Sequence, residues 1–442
     1  MTEATQPQTR RGALNAMGPV MLRLLPLIIL GTALCSLANI VLTRSMNTSE
    51  YGAFSFFLSS ISLMSLIGLL GFHQTLPRFL SRYERDANPE LTLGFLITVV
   101  GLTITATAIV TGLGIYAVVP MIQNTAAHRC LNEGYYLATA MALIVLFSAY
   151  LTFHKHTLVA SSAGPDGAVY QFVLILAVLV AQLLPHTHSG LLAVEVVGSM
   201  GLAAAACLAV QLIWCTIKLK DQIQRARPSF RVREWCMESL PVAGSAVIGT
   251  LVYSADIIAV RLIAGSDSAA EYAVASSLAT FVIIPRLASG KYFSQEAPHV
   301  AGAERSAILQ RLIRRVLSFN FVSAAAIGLG IALFNQLFLG FYGKDYLSAW
   351  PALLLLILAR ALEGPAPVGV KLLNLEGFGG TIAQVSLWTG AVFIGLLALL
   401  VSWLGQNGAG AAAIAFVLLS NTMIHRRAVR YTGLRLTPSL RS

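Results

Sequence analysis

The constraint that decides the architecture is the recurrence, from near residue 19 to near residue 425, of apolar runs separated by short polar stretches. A helix of about twenty apolar residues matches the hydrocarbon thickness of a bilayer. The runs fall at about 19–43, 51–72, 91–119, 133–153, 168–185 and 190–215, then at about 236–264, 269–290, 312–340, 348–372, 379–404 and 406–425. About twelve transmembrane helices are therefore expected, in an all-α polytopic membrane protein. Composition agrees, because 56% hydrophobic and only 11% charged residues leave too little polar material to cover soluble domains.

The formal charge of +11 is distributed by side of the membrane. One set of alternate loops holds Arg10, Arg11, Arg78, Arg82, Arg85, Lys155, the run from Lys218 to Arg233, then Lys291, Arg305, Arg311, Arg314, Arg315, and the tail from Arg426 to Arg441. The other set holds little beyond Arg44, Arg129 and Lys344. Such a bias places both termini in the cytoplasm, fits an even number of spans and accounts for the basic residues without a nucleic-acid partner. The one long polar interruption, 216–235, divides the chain six spans and six, so the halves share an orientation and are related by an axis along the membrane normal. The expected layout is a cytoplasmic tail (1–18), a first lobe (19–215), a basic cytoplasmic linker (216–235), a second lobe (236–425) and a basic cytoplasmic tail (426–442). With its arginines and the apolar Phe230 and Trp235, the linker suits a strip lying on the inner leaflet, or a solvated connector.

Familiar enzyme signatures are missing: GxxxxGK[ST], GxSxG, HExxH and GxGxxG do not occur. The cysteines Cys35, Cys130, Cys207, Cys215 and Cys236 form no pair at metal-ligand or redox spacing. His154 with His156, and His186 with His188, stand at i,i+2, which turns them apart on a helix; they read as solvated loop residues. No catalytic residue, metal or cofactor is expected. The polar N-terminus gives no sign of a removable signal peptide. The outer loops are short, which leaves an enzyme acting there nowhere to build a site.

Within the spans, polar residues carry the information, since each costs a few kcal/mol or more unless paired or facing water. Asn39 to Tyr51 (NIVLTRSMNTSEY) has a looser copy at Asp256 to Tyr272 (DIIAVRLIAGSDSAAEY). Asn39 aligns with Asp256, Arg44 with Arg261 and Glu50-Tyr51 with Glu271-Tyr272, which reads as an internal duplication. Asp256 lies in the outer half of its span with Tyr253 on the same face. Arg360 and Glu363 stand at i,i+3 near the midplane, and Gly364-Pro365-Ala366-Pro367 must break their helix. On the cytoplasmic half lie Arg23, Arg286 beside Pro285, Lys291 and Lys371, with His73 and Arg78 echoing Arg286 and Lys291 from the end of the second span. Each cation alone reads as an anchor snorkelling to the interface. Together they outnumber the anions, as suits a cavity for an anionic cargo.

Two stretches carry a family resemblance: Ala38 to Phe79 and Ser239 to Ile263, the latter with its Leu-Pro start and its Asp followed by Arg. They resemble the polysaccharide-transporter branch of the multidrug/oligosaccharidyl-lipid/polysaccharide exporter superfamily. Across the rest of the chain the likeness lies in span count and plan. It implies two six-helix lobes around a central cavity, alternating access, and location in the bacterial inner membrane. The cargo implied is undecaprenyl-diphosphate-linked oligosaccharide, flipped to the outer leaflet for surface polysaccharide. Implied partners are that lipid-linked substrate, membrane lipids, and the polysaccharide polymerase and chain-length machinery. On this resemblance Arg44, Arg261, Arg286, Lys291 and Arg360 would contact diphosphate or acidic sugar, through donors suited to phosphate. Asp256, Glu363 and Asn39 would serve ion coupling or position those arginines. Two features depart from the family pattern: Asn39 where the second copy has Asp256, and Met46-Asn47 where the first outer turn usually has glycine. A multidrug extruder of the same superfamily fits the plan, although it favours an acidic, aromatic cavity. A polytopic polysaccharide polymerase or ligase handles the same lipid-linked sugars but needs a large outer loop.

Overall fold

The computed structural model describes residues 17–86, 88–118, 125–153, 173, 175–179, 192–223, 227–300 and 304–438. In chain order the helices are α1 (Met17–Ser45), α2 (Thr48–Gly68), α3 (Phe72–Arg85), α4 (Pro89–Val118), α5 (Thr125–Phe153), α6 (Ala193–Ile223) and α7 (Val232–Ala264). There follow α8 (Ser266–Glu296), α9 (Arg305–Leu333), α10 (Asn335–Tyr342), α11 (Trp350–Leu362), α12 (Pro365–Leu375), α13 (Gly379–Leu404) and α14 (Gln406–Thr432). The fold is the all-α polytopic one expected. Eleven expected spans coincide with these helices, while the fifth, 168–185, lies mostly outside the described residues, as do the paired histidines, Arg10 and Arg11. Among the described residues nine segments are long and apolar enough to cross a membrane, Thr48–Arg85 and Lys344–Leu375 each counting as one.

Helix is imposed by the solvent: in hydrocarbon each backbone N–H and C=O must be satisfied within its own segment. Hydroxyls inside the spans follow the same rule, and Ser62, Ser65, Thr98, Thr107 and Thr389 donate to carbonyls one turn back at 2.7–2.9 Å. Large apolar side chains such as Leu113, Leu202, Leu329 and Trp388 stand exposed on the helices, as a lipid-facing surface requires.

The chain divides into two compact units, residues 34–273 and residues 1–33 with 274–442. In the first, α2 packs against α4, α5 and α7. The second span does not run on to His73 as the apolar run suggested. It ends at a kink where Leu70 and Gly71 take φ 47° and 77°, and α3 restarts as an amphipathic helix. Gly71 is required there, since a Cβ would lie 2.6 Å from both Ser239 O and Ala243 N of α7. From α3, Phe72, Leu76, Phe79 and Tyr83 enter a core with Phe95 and Trp235, whereas Arg82 is exposed. Trp235 therefore departs from the expected membrane-facing strip: it is fully buried, and its Nε1–H donates to Tyr83 Oη at 2.6 Å. Phe230 is exposed. The linker is also short, because α6 continues to Ile223 and α7 begins at Val232.

In the other unit, Tyr292 and Phe293 of α8, Leu312, Val316 and Leu317 of α9, Leu372 and Leu373 of α12, Val385 of α13 and Ile424 of α14 form one core. Leu25 and Ile28 of α1 pack against it. The side chain of Arg23 lies outside the described residues.

Candidate functional site

The break expected after Glu363 separates α11 from α12, with Pro365 opening the new helix where its missing N–H costs nothing. A broken helix leaves a carbonyl and an amide unspent at membrane depth. Both are met by one side chain of α14: Asn421 Nδ2 donates to Leu362 O at 2.8 Å, and Ala366 N donates to Asn421 Oδ1 at 2.9 Å. The loop between the helices is thereby held, and with it Glu363.

Glu363 is buried and receives two arginines. Arg286 of α8 donates from Nη1 to Oε1 at 2.7 Å, and Arg360, one helical turn before it, donates from Nη1 to Oε2 at 3.5 Å. The side chains of all three are at most 15% exposed, so the pairing operates in a low effective dielectric. Near Arg286 on the same helix, Lys291 is half-buried. Lys371 of α12 reaches back to α8, within electrostatic range of Arg286 and Lys291. Two arginines thus share one carboxylate, and Lys371 stands within electrostatic range of one of them and of Lys291.

The repeated hairpins lie in the unit 34–273. Tyr272 Oη donates to Asp256 Oδ2 at 2.9 Å, and Tyr51 Oη donates to the aligned Asn39 Oδ1 at 3.4 Å. Asp256 is 2% exposed and also accepts from the N–H of Ile257 at 2.8 Å. The two copies meet where α2 begins: a Cβ on Gly52 would lie 2.0 Å from Ser266 O at the start of α8. Their turns differ in backbone. The second uses Gly265 at φ 96°, while the first passes through extended Asn47 at φ −69° and ψ 153°, which explains why no glycine is needed there. Arg44 is exposed, and Arg261 is half-buried within reach of Asp267. The side chain of Tyr253 lies outside the described residues.

Of the residues singled out by sequence, Arg286, Arg360 and Glu363 are in direct contact with Lys291 nearby, whereas Arg44, Arg261, Asp256 and Asn39 belong to the other unit. Among the described residues no group of three His, Cys, Asp or Glu is gathered as a metal ion would need.

The sequence signature of polysaccharide biosynthesis proteins matches residues 24–288, more than half of the chain. The chain belongs to the polysaccharide biosynthesis protein family. No protein of curated function matches its sequence. This family member shares its fold with solved members of the MOP superfamily. MurJ, a lipid II flippase in an inward closed conformation, aligns with a TM-score of 0.69 at 11% identity, covering 91% of this chain and 87% of that one. A Vibrio cholerae MATE transporter aligns at 0.64 and 14% identity, covering 95% and 98%. An outward-facing multidrug resistance MATE transporter aligns at 0.59 and 13% identity, covering 96% and 98%. At such identities the likeness is one of fold.

Three features of this family member escaped sequence reasoning. Arg286 meets Glu363 across 77 residues of chain; the only signal was that an arginine beside Pro285 inside a span must find an anion. Asn421 carried no signal beyond being an amide in a span. The tyrosines of the repeat were aligned, but their hydrogen bonds were not.

Proposed function

We propose that this protein is a flippase that carries an undecaprenyl-diphosphate-linked oligosaccharide from the cytoplasmic to the outer leaflet of the bacterial inner membrane by alternating access. The observation that carries the reading is the cluster at the broken helix, where Arg286 and Arg360 share the carboxylate of Glu363 and Lys371 lies within electrostatic range of Arg286 and Lys291. Irregular backbone beside charges at membrane depth is where transporters build sites, and an excess of cations there suits a diphosphate. Membership of a polysaccharide biosynthesis family and a fold shared with a lipid II flippase support the same class of cargo. In this scheme the head group binds near Arg286 and Lys291 and leaves past Arg44 and Arg261, while the polyprenyl tail stays in lipid. Asp256 and Glu363, with Asn39 in the neutral copy, couple an ion to the change of state or hold the arginines. Binding must differ between the two states for cargo to drive the change.

Deleting the gene in its host tests this. Loss of surface polysaccharide, with complete lipid-linked repeats trapped on the cytoplasmic side, is the expected result. The buried Asp256 favours a second reading, export of organic cations, as the fold shared with MATE transporters allows. That reading gains if polysaccharide is unchanged and the deletion strain becomes sensitive to cationic drugs. Repeats that reach the outer leaflet and stay unpolymerised would instead point to a polymerase.

A further inference from the structure

Glu363 engages the two arginines, which leaves Lys371 in a different setting. Its ammonium rests on the backbone of α8 at Gly290, where a Cβ would lie 2.6 Å from Nζ. The charged groups acting on it are Arg286 and Lys291, both cations. Among the described residues no carboxylate pairs with it and no acceptor takes its hydrogen bonds. A half-buried ammonium beside two like charges is unfavourable in a low dielectric until an anion joins it. A lysine that only anchored the helix would turn its charge outward to the interface; this one lies across the small-residue face of a neighbouring helix, beside Lys291.

We propose that Lys371 is a receptor for a phosphate oxygen of the cargo, that Lys291 shares the contact, and that Gly290 is the gap that lets the ammonium reach it. The inference rests on the flippase reading and adds a residue and an order of events to it. Arg286 and Arg360 are already engaged by Glu363, so an arriving diphosphate meets Lys371 and Lys291 before it competes with the carboxylate for the arginines. Three donors on a flexible stem suit a group that must be received in one orientation and released in another.

The test uses the full chain in lipid nanodiscs and geranylgeranyl diphosphate, a prenyl diphosphate without sugar, as the probe. Lys371→Met keeps the apolar stem and removes the charge; it should weaken binding by about tenfold, the scale of one charge-assisted hydrogen bond, and Lys371→Arg should recover most of the loss. Gly290→Ala should weaken binding by displacing the ammonium. Its melting temperature should hold or rise, because alanine favours the helix and only the end of a flexible side chain must move. Arg305→Met, whose partner Glu376 lies outside the cluster, should bind as wild type does. If wild type binds and both Lys371→Met and Gly290→Ala bind equally well, the assignment of Lys371 is overturned while the flippase reading stands. If wild type shows no affinity for the probe, the diphosphate reading itself fails, and this inference with it.

Discussion

Among the described residues two carboxylates are buried in the spans, and they are stabilised by opposite means. Asp256 is met by neutral donors, the hydroxyl of Tyr272 and the N–H of Ile257. Glu363 is met by two guanidinium groups. A proton added to Glu363 would weaken two ion pairs, whereas a protonated Asp256 can still accept from Tyr272. Glu363 is thus held by charge and Asp256 by neutral hydrogen bonds, which is the contrast behind the proposed roles of counter-ion and coupling group. The repeat sharpens the contrast, because its first copy keeps the tyrosine and replaces the acid with the neutral Asn39. The two copies share the tyrosine hydrogen bond and differ in the charge of its acceptor.

The largest effect should come from removing the counter-ion. Glu363→Ala deprives two arginines of the carboxylate they share and should cost about 3–5 kcal/mol, the range for breaking a buried pair from one side, read by denaturant unfolding in detergent. A loss no greater than that of Asp256→Ala would erase the distinction between the two acids. Asp256→Ala removes the acceptor of one buried hydroxyl and one amide, for about 2 kcal/mol in the same assay. Asp256→Asn gives the second copy the chemistry of the first; it should stay within about 1 kcal/mol of wild type, the scale of one neutral hydrogen bond. That variant should nonetheless lose the stimulation of transport by an imposed proton or sodium gradient in proteoliposomes. Retained stimulation would assign coupling elsewhere. The smallest effects compare the hydroxyls: Tyr272→Phe should cost about 1.5 kcal/mol with its acceptor charged and Tyr51→Phe about 0.5 kcal/mol with its acceptor neutral. Equal losses in thermal unfolding would mean that the change of charge between the copies has no energetic consequence.

Much of the fold was legible because bilayer thickness sets helix length directly. Spans were found from apolar runs alone, and Glu363-Gly364-Pro365 marked the break in the tenth because proline chemistry is local. What the runs hid was the kink at Leu70-Gly71, since residues 69–72 are as apolar as those before them, and the amphipathic spacing of α3 begins only beyond. Trp235 was misread for a related reason. Beside exposed Phe230 in a basic linker it looks interfacial, and only the position of Tyr83 and Phe95 makes it core. The candidate site was half legible. Arg360 and Glu363 share a face by local spacing, but the partnership with Arg286 and the support from Asn421 are tertiary facts. Charge balance within the spans hinted at the first, and nothing hinted at the second.

The proposed role of the cations at the broken helix is to move a diphosphate head across the membrane. It is tested most directly by reconstituting the protein in liposomes with a labelled undecaprenyl-diphosphate-linked oligosaccharide and following the labelled pool that an added glycosidase can reach. Wild type should expose the inner pool with time. A variant carrying Arg286→Gln, Arg360→Gln and Glu363→Gln together removes both members of each ion pair at a net loss of one positive charge, so it should remain folded and slow that exposure at least tenfold, as loss of one charge-assisted contact of about 1.5 kcal/mol or more requires. Translocation by the triple variant at the wild-type rate would contradict the account.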